Sequence, residues 1–284
     1  MRFLHCSDVH VTTNYFARPK WELGWRRWIA LFELGLGGRA RDYLDAPSVL
    51  RRIVHDLARH RADHLIVSGD VTAYGMEEEF LGAREALLPV VEDKRRCTII
   101  PGNHDTYTPV TVAARYFERQ FGHLLDSDLP GLAKEGPYPF VRLVGEQAAV
   151  VGLCSARVPL MPGFSFGYVG KRQLEGLREV VNDERLKERA LLVAVHHAPL
   201  AKSGGRDKPL HGLVDAEALM RLLPGPRFAV LHGHIHQRYH HPATTTRPHL
   251  FGAGSSTQKG KEGYWLIEVE AGRVKGGTMH VPGA

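Results

Sequence analysis

The chain repeats one local pattern, in which a short apolar run stops abruptly before side chains that can bind a metal ion or carry a proton. The pattern is clearest at residues 99–105, Ile-Ile-Pro-Gly-Asn-His-Asp, where the run ends at a Pro-Gly turn. Such a run predicts a buried strand, and the turn places Asn103 and His104 at the sheet edge. Gly, Asn and Asp are equally common in ordinary turns, so one occurrence alone does not indicate a site.

Four further apolar runs end in the same way, at residues 2–6, 64–68, 191–195 and 228–231. The polar side chains that follow the five runs are, in chain order, Asp8 and His10, Asp70, Asn103 and His104, His196 and His197, and His234 and His236. Residues two apart in an extended chain project to the same side. This spacing predicts that Asp8 and His10 reach a common point, and that His234 and His236 do the same.

Helical patterns separate the first three runs. Ser48 is predicted to cap a helix over residues 49–60, and residues 77–91 form a second helical pattern. Further helices are predicted over 111–121, 171–181 and 215–223, and further strands over 140–144, 148–154, 264–269 and 273–280. The opening order strand, helix, strand, helix, strand predicts a largely parallel sheet with crossover helices. Ligands bind outside the carboxyl ends of strands in such sheets, which is where these polar residues fall.

The residue types indicate a metal site. Carboxylate, imidazole and amide oxygen together suit manganese, iron, zinc or nickel. There are enough donors for two ions and too many for one, and Asp70 is the best candidate to bridge two ions because it follows a central strand. Two ions about 3.5–4 Å apart can clamp a phosphoryl group for in-line attack. The alternative is that the histidines only satisfy strand ends, which would leave a buried cluster poorly hydrogen-bonded.

These motifs, in this order, resemble those of the calcineurin-like metallophosphoesterase superfamily: Asp8-x-His10, Gly69-Asp70, Gly102-Asn103-His104-Asp105, His196 and Gly233-His234-x-His236. The resemblance extends from residue 3 to residue 236. Residues 196–199, His-His-Ala-Pro, and the compact size look most like the class III cyclic-nucleotide and glycerophosphodiester phosphodiesterases. The resemblance implies a single domain over residues 1–284. Its fold would be a four-layer α/β (α+β) sandwich of two mixed sheets flanked by helices, which amends the purely parallel sheet.

The resemblance also implies a role for each matching residue. One metal ion would be held by Asp8, His10, Asp70 and His236, and the other by Asp70, Asn103, His196 and His234. Asp70 and a water or hydroxide nucleophile would bridge the two ions. His104 would stabilise charge on the phosphoryl oxygen or protonate the leaving group, Asp105 would orient His104, and both Asn103 and His104 would contact the substrate. His197 and His232 do not match ligand positions and are expected to support the ligands.

The function expected from this resemblance is hydrolysis of a small phosphodiester, such as a cyclic nucleotide, by a metal-bridging hydroxide. The alternatives are a membrane-surface lipid-linked pyrophosphohydrolase, a phosphomonoesterase, a nuclease, or a non-catalytic binding module. The complete ligand set and His104 argue against the binding module. The net charge of +6 fits a phosphate-bearing substrate, whereas the scattered Lys and Arg indicate no nucleic-acid partner. Ala73 stands where many relatives carry a polar residue, which leaves the finer substrate assignment open.

Residues 14–47 are predicted to form a helical insertion rich in Trp. Trp21, Trp25, Trp28 and Phe32 follow helical spacing within residues 21–36. Such a stripe is expected to pack on the core of the domain. It could instead line the substrate entrance, contact a second copy in a homodimer, or lie on a membrane surface.

Other features of the sequence indicate a cytoplasmic protein. No apolar run approaches the roughly 20 residues needed to span a bilayer, and the first residues lack the pattern of a signal peptide. The three cysteines, Cys6, Cys97 and Cys154, show no paired spacing. They are therefore expected to be reduced thiols rather than disulfides or zinc ligands.

Overall fold

The computed structural model describes residues 1–15, 24–28, 39–159, 161, 164–208 and 210–284. Within these residues the strands are β1 (Arg2–Cys6), β2 (His64–Val67), β3 (Cys97–Ile99), β4 (Phe140–Val144), β5 (Ala148–Gly152), β6 (Ala190–Ala194), β7 (Phe228–His232), β8 (Arg238–His241), β9 (His249–Ala253), β10 (Tyr264–Glu270) and β11 (Arg273–His280). The helices are α1 (Ala46–Arg59), α2 (Glu77–Ala86), α3 (Pro109–Ala113), α4 (Tyr116–Phe121), α5 (Lys171–Asn182) and α6 (Ala216–Arg221). Short 3-10 helices lie at Arg39–Tyr43, Val90–Glu92, Gly122–Leu125, Pro130–Leu132 and Glu184–Leu186.

The strands form two mixed sheets. The first has the order β11-β10-β1-β2-β3. Strands β1, β2 and β3 are parallel to one another, β10 pairs antiparallel with β1, and β11 pairs antiparallel with β10. The second has the order β4-β5-β6-β7-β9-β8, with β4 and β8 as antiparallel edges of a parallel centre. This confirms the predicted α/β sandwich of two mixed sheets flanked by helices. A purely parallel sheet is wrong because short turns join β4 to β5 and β10 to β11, and only antiparallel strands can be joined so closely.

Successive side chains along each strand of the second sheet point to opposite faces, so they belong alternately to two hydrophobic cores. In β6, Leu192 and Ala194 belong to the core that contains β1, β2 and β3. Leu191 and Val193 belong to a second core that contains the apolar face of α5. Because both faces of the strand are buried, its sequence is continuously apolar rather than alternating. The same packing holds the carboxyl ends of β6 and β7 close to those of the first sheet.

Several predicted boundaries differ from the structure. Helix α1 begins at Ala46 rather than after Ser48, since Pro47 fits within the first turn of a helix. Helix α2 ends at Ala86 because Pro89 lacks a backbone N–H and disfavours helical geometry before it. The predicted helix over residues 111–121 is split into α3 and α4 at Arg115, whose φ is 54°. Strand β8, a polar edge strand, was not predicted because it contains no apolar run.

The insertion is described only in part. Residues 24–28 are helical, and the buried Arg27 donates hydrogen bonds to the carbonyl oxygens of Tyr74 and Gly75. Trp28 packs against a small buried cluster that contains Tyr15 and Tyr74, whereas Trp25 is 60% exposed. Trp21 and Phe32 lie outside the described residues.

The cysteines are free thiols, as predicted; Cys6 and Cys97 are buried and Cys154 is partly exposed. None of the helices in the described ranges combines the length and apolar character that crossing a bilayer requires.

His64 on β2 gives a prediction about acid stability. It is fully buried, with Nδ1 2.8 Å from the Arg95 carbonyl oxygen and Nε2 2.8 Å from Thr98 Oγ1. Burial lowers the pKa of His64 from 6.5 to about 4. The unfolded chain therefore binds more protons than the folded chain between these values, so the free energy of unfolding falls as the pH drops from 6.5 towards 4. This residue contributes up to about 3 kcal/mol to that fall.

We expect His64→Gln to be less stable than the wild type at neutral pH but to lose less stability on acidification. Urea unfolding between about pH 7.5 and pH 5 measures the difference in slope. His55→Gln, at an exposed position of α1, is the control. Equal pH slopes for His64→Gln and the wild type would show that His64 does not titrate on unfolding.

Candidate metal centre

The predicted ligands follow five strands and meet at one place. Asp8 and His10 follow β1, Asp70 follows β2, Asn103 follows β3, His196 follows β6, and His234 and His236 follow β7. All of these are strands of the parallel parts of the two sheets, so their carboxyl ends point to the same side. The two sheets therefore deliver their ligands to a shared edge, as ligand sites in open α/β sheets do.

A first group consists of Asp8, His10 and His236. Their potential ligand atoms all lie within 4.8 Å of one another. His236 Nε2 is 3.3 Å from Asp8 Oδ1, and His10 Nε2 is 3.1 Å from His236 Nε2. Two imidazole nitrogens and a carboxylate oxygen that converge in this way fit the first coordination sphere of a transition-metal ion.

A second group lies around Asp70 and Asn103. His196 Nε2 is 3.3 Å from Asp70 Oδ2 and 3.0 Å from Asn103 Oδ1. His234 Nδ1 is 2.9 Å from the same Asn103 oxygen. The ligand atoms of Asp70 also converge with those of Asp8 and His196, and with those of His10 and His104. Asp70 thus adjoins both groups, as a bridging carboxylate would.

The charges at this edge fit bound cations. Asp8 and Asp70 are buried, and their ion-pair partners within the described part of the chain are all histidines. Burial favours the neutral ring of His196, but the Asp70 carboxylate raises its pKa to about 9. A proton on His196 thus compensates the carboxylate, and a metal ion would displace it, because imidazole binds metals in its neutral form.

The backbone that carries the ligands is strained. Asp8, His10, Asp70, His234 and His236 have φ values of 52°, 51°, 53°, 71° and 49°. This left-handed region is uncommon for residues other than glycine, and such residues cluster at functional sites. The extended geometry used to predict that Asp8 and His10 project together is therefore wrong, although the convergence itself is observed. Tight left-handed turns, rather than strand alternation, aim these side chains.

The ring nitrogens turned away from the centre are also held. His196 Nδ1 lies 2.9 Å from the Ser68 carbonyl oxygen, and His10 Nδ1 lies 3.3 Å from that of Thr72. His234 Nε2 lies 2.9 Å from the His211 carbonyl oxygen. Such partners fix the tautomer and orientation of metal-binding histidines.

The fourth predicted histidine ligand, His236, has a partner that the sequence did not reveal. Its Nδ1 lies 3.4 Å from the Tyr43 hydroxyl. Tyr43 belongs to the insertion and to no motif, so only the folded chain identifies it.

His104 is placed as predicted but is oriented by a different group. Its Nδ1 lies 2.5 Å from the Ala73 carbonyl oxygen, which can only accept a hydrogen bond. Nδ1 therefore carries the proton, and Nε2 is left for chemistry. The backbone N–H of His104 donates to Asp70 Oδ1 at 2.8 Å, and its ring stacks on Tyr107.

Asp105 does not orient the His104 ring as predicted. Its carboxylate accepts hydrogen bonds from the backbone N–H groups of Val71, Thr72 and Gly102, at 2.9–3.2 Å, and from the Thr72 hydroxyl. Burial and the nearby Asp70 raise the pKa of Asp105 to about 6. Asp105 therefore ties the loop after β3 to the loop after β2, and acts on His104 only through that backbone.

His197 and His232 lie next to the predicted ligands, and their supporting role stays a prediction. Both are fully buried. The His197 ring lies 4.4 Å from that of His234, and its Nδ1 is 2.8 Å from Ser155 Oγ. His232 Nδ1 is 3.3 Å from the Gly233 carbonyl oxygen.

Glycines in the motifs leave room for the carboxylates. A Cβ atom on Gly102 would lie 2.1 Å from Asp70 Oδ1, and one on Gly233 would lie 2.2 Å from Asp8 Oδ2. The backbone N–H of His234, next to Gly233, donates to both oxygens of Asp8, at 3.1 and 3.0 Å. These approaches explain in physical terms why glycine precedes the ligands.

We expect Gly233→Ala to displace Asp8 and to lower the metal content of the purified protein, because the new methyl group would overlap the carboxylate. Metal analysis after dialysis measures the loss. Gly131→Ala is the matched control, since a Cβ atom there meets nothing within 4 Å. A Gly233→Ala protein with an unchanged metal content would contradict the assignment of Asp8 as a ligand held at this position.

The centre opens into a polar cleft of about 440 Å³. Asp70, Asn103, His104 and His234 line its floor, and the exposed Lys208 lies among its lining residues. A cationic side chain beside a metal centre suits an anionic substrate.

Comparison with known proteins agrees with this geometry. The sequence profile of the calcineurin-like phosphoesterase family matches residues 1–238. No match to the chain is found among curated proteins.

Solved structures share the fold. A dimetal phosphatase from Danio rerio has a TM-score of 0.58 at 13% identity, with 99% of this chain and 98% of that chain covered. The protein TT1561 of Thermus thermophilus has a TM-score of 0.55 at 12% identity, with coverage of 99% and 98%. The purple acid phosphatase PPD1 from yellow lupin seeds has a TM-score of 0.55 at 11% identity, and 98% of this chain matches 53% of that chain.

At such identities a structural likeness shows the fold alone, and the family profile carries the assignment. Calcineurin-like phosphoesterases use a dinuclear centre of divalent metal ions, and the two groups of side chains, with Asp70 between them, fit such a centre. The chain belongs to the calcineurin-like phosphoesterase family.

Proposed function

We propose that the protein hydrolyses small phosphodiesters at a centre of two divalent metal ions. The observation that supports this most is the convergence of seven potential ligands into two groups around Asp70, with His104 beside them. Asp8, His10, Asp70 and His236 would hold one ion, and Asp70, Asn103, His196 and His234 would hold the other. Two such ions supply positive charge for the phosphoryl oxygens and a strong nucleophile from water.

The residues of the chain supply the remaining chemistry. His104 has Nδ1 fixed on the Ala73 carbonyl oxygen, so Nε2 is the atom that can meet the substrate. In its protonated form it would donate a proton to the oxygen that leaves phosphorus, and Lys208 would attract the anionic ester into the cleft. The alternative role for His104 is to stabilise the negative charge that develops on a phosphoryl oxygen.

The space on both sides of His104 supports a phosphodiester, rather than a phosphomonoester, as the substrate. The polar cleft lies on one side, and a smaller cavity lies on the other, with His104 and His236 lining both. A phosphoryl group at the centre could therefore carry one substituent into each. The diesterase preference and the likeness to class III enzymes are part of this proposal.

With added Mn²⁺, we expect the purified chain to show a kcat/KM for bis(4-nitrophenyl) phosphate at least about tenfold above that for 4-nitrophenyl phosphate, a difference of about 1.4 kcal/mol. 3′,5′-Cyclic AMP is the third substrate, since hydrolysis of it would favour the class III likeness. A higher kcat/KM for the monoester would instead indicate a phosphomonoesterase. No hydrolysis of any of the three by the metal-loaded protein would favour a non-catalytic binding module.

A further inference from the structure

A cavity walled by tyrosines lies beside the metal centre. Its volume is about 190 Å³, and its wall includes Tyr15, Tyr43, Tyr74 and Ala73, with the polar residues Thr12, Gln258 and Lys261 also lining it. His104 and His236 line it on the side of the metal centre. Because the same two histidines line the polar cleft, they form the boundary between cleft and cavity.

Two of the wall tyrosines have their hydroxyl groups engaged with other side chains of the protein. The Tyr15 hydroxyl donates to the buried Glu79 carboxylate, and the Tyr43 hydroxyl contacts His236. The rings of Tyr15 and Tyr74 pack edge to face, with centroids 5.1 Å apart and planes at 83°. Rings arranged in this way offer both faces and edges to a further aromatic group.

The insertion and the metal motifs build this wall together. Trp28 and Tyr107 pack against the cluster that contains Tyr15 and Tyr74. Tyr107 also stacks on His104, with centroids 5.8 Å apart and planes at 18°. The aromatic wall is thus continuous with the ring of the residue expected to transfer the proton.

We propose that this cavity receives the leaving group of the substrate, and that this group is a flat aromatic ring. The assignment rests on the proposed function. A cavity of about 150 Å³ binds benzene, so this cavity has room for roughly one or two fused rings. With phosphorus in the cleft, the ester oxygen that joins it to the ring lies at the boundary, beside His104.

The reaction at that boundary is hydrolysis of the ester bond between phosphorus and the ring oxygen. Water supplies the oxygen that binds phosphorus, and the bond between phosphorus and the ring oxygen breaks. His104 passes a proton to the ring oxygen and regains one from the water. The products are a hydroxylated ring, which leaves through the cavity, and a phosphate with one ester group fewer.

Ala73 and Thr12 set the size of the cavity. Ala73 lies in the wall with a small side chain that is 8% exposed, and Thr12 lines the cavity at a partly exposed position. The Ala73 group that holds His104 is its backbone carbonyl, so a larger side chain would take up cavity volume while that hydrogen bond stays possible. Ala73→Leu and Thr12→Trp therefore fill the space from two independent positions.

The test measures binding of the free ring alcohol to the full chain loaded with diamagnetic Zn²⁺, by ligand-detected NMR. The probes are 2-naphthol and its saturated counterpart decahydro-2-naphthol. We expect 2-naphthol to bind the wild type about fivefold to tenfold more tightly than the saturated alcohol, a margin typical of aromatic pairing. Ala73→Leu and Thr12→Trp should each weaken 2-naphthol binding by about tenfold or more, the scale of overfilling a packed space.

Ala113→Leu, which adds the same side chain at an exposed position of α3, is the control and should bind 2-naphthol as the wild type does. Circular dichroism verifies that each variant is folded. Unchanged 2-naphthol binding in both folded cavity variants would overturn the site, and equal binding of the two alcohols would overturn its aromatic selectivity.

Failure of the proposed function is distinguishable from failure of this site. If the chain hydrolyses phosphoesters while both cavity variants bind 2-naphthol normally, the cavity assignment alone is wrong. If 2-naphthol binds in the cavity but no phosphoester is hydrolysed, the ring site stands and both the hydrolase and the leaving-group role are overturned.

Discussion

Asp70→Asn is expected to abolish phosphoester hydrolysis, with a loss of kcat/KM on the order of 10³-fold or more. The substitution keeps the shape of the side chain but removes the charge that adjoins both groups of ligands. Asp70 Oδ2 lies 3.3 Å from His196 Nε2, and its other oxygen accepts the backbone N–H of His104 at 2.8 Å. The variant should therefore also retain fewer metal ions, falling from about two per chain to one or none.

Two measurements separate these effects. Metal analysis of the dialysed protein gives the number of bound ions, and steady-state kinetics with excess Mn²⁺ gives the residual activity. Asp126→Asn, at an exposed position outside the centre, is the matched control and should retain both properties. An Asp70→Asn protein that keeps two ions and full activity would refute the shared-carboxylate centre.

His104→Gln is expected to lower kcat/KM by roughly 10²–10⁴-fold while the metal content stays unchanged. The residue borders the centre but is held through the Ala73 carbonyl oxygen and the Tyr107 ring rather than through a ligand position. If its role is to protonate the leaving oxygen, the loss should be greatest for esters whose leaving group is strongly basic. 4-Nitrophenolate leaves without much help, so bis(4-nitrophenyl) phosphate should show a smaller loss than a diester with an alkyl leaving group.

The dependence on the leaving group distinguishes the two roles of His104. A loss that is the same for aryl and alkyl leaving groups would show that His104 stabilises phosphoryl charge rather than donating a proton. His55→Gln, on the exposed face of α1, is the control for a histidine change outside the site. A fall in metal content in His104→Gln would contradict its placement outside the ligand set.

Some expectations stay predictions. They are the single domain over residues 1–284, the cytoplasmic location, the homodimer and the membrane contact through residues 21–36. The exposed side chain of Trp25 is the described feature that is consistent with the membrane contact.

The sequence alone was enough to predict the strands that lead to the centre and the polar side chains that meet there, whereas their assignment as metal ligands comes from the family resemblance and stays a prediction. Each of these depends on information within a few residues: an apolar run and the polar side chain after it, with a glycine between them after β2, β3 and β7. That is why β1, β2, β6 and β7 were predicted to within a residue or two at each end, and why Asp8, His10, Asp70, Asn103, His196, His234 and His236 lie together at one sheet edge.

Only the tertiary structure decided how those side chains are aimed and what surrounds them. The backbone at Asp8 and His234 adopts the left-handed region, which the local pattern did not predict. Asp105 accepts hydrogen bonds from the loop after β2, and Tyr43 contacts His236, so both residues meet partners far away in the chain. The tyrosine cavity likewise combines the insertion with two motif loops. Local patterns cannot encode these features, because they arise from sheet pairing and close packing between segments that are separated by tens to hundreds of residues.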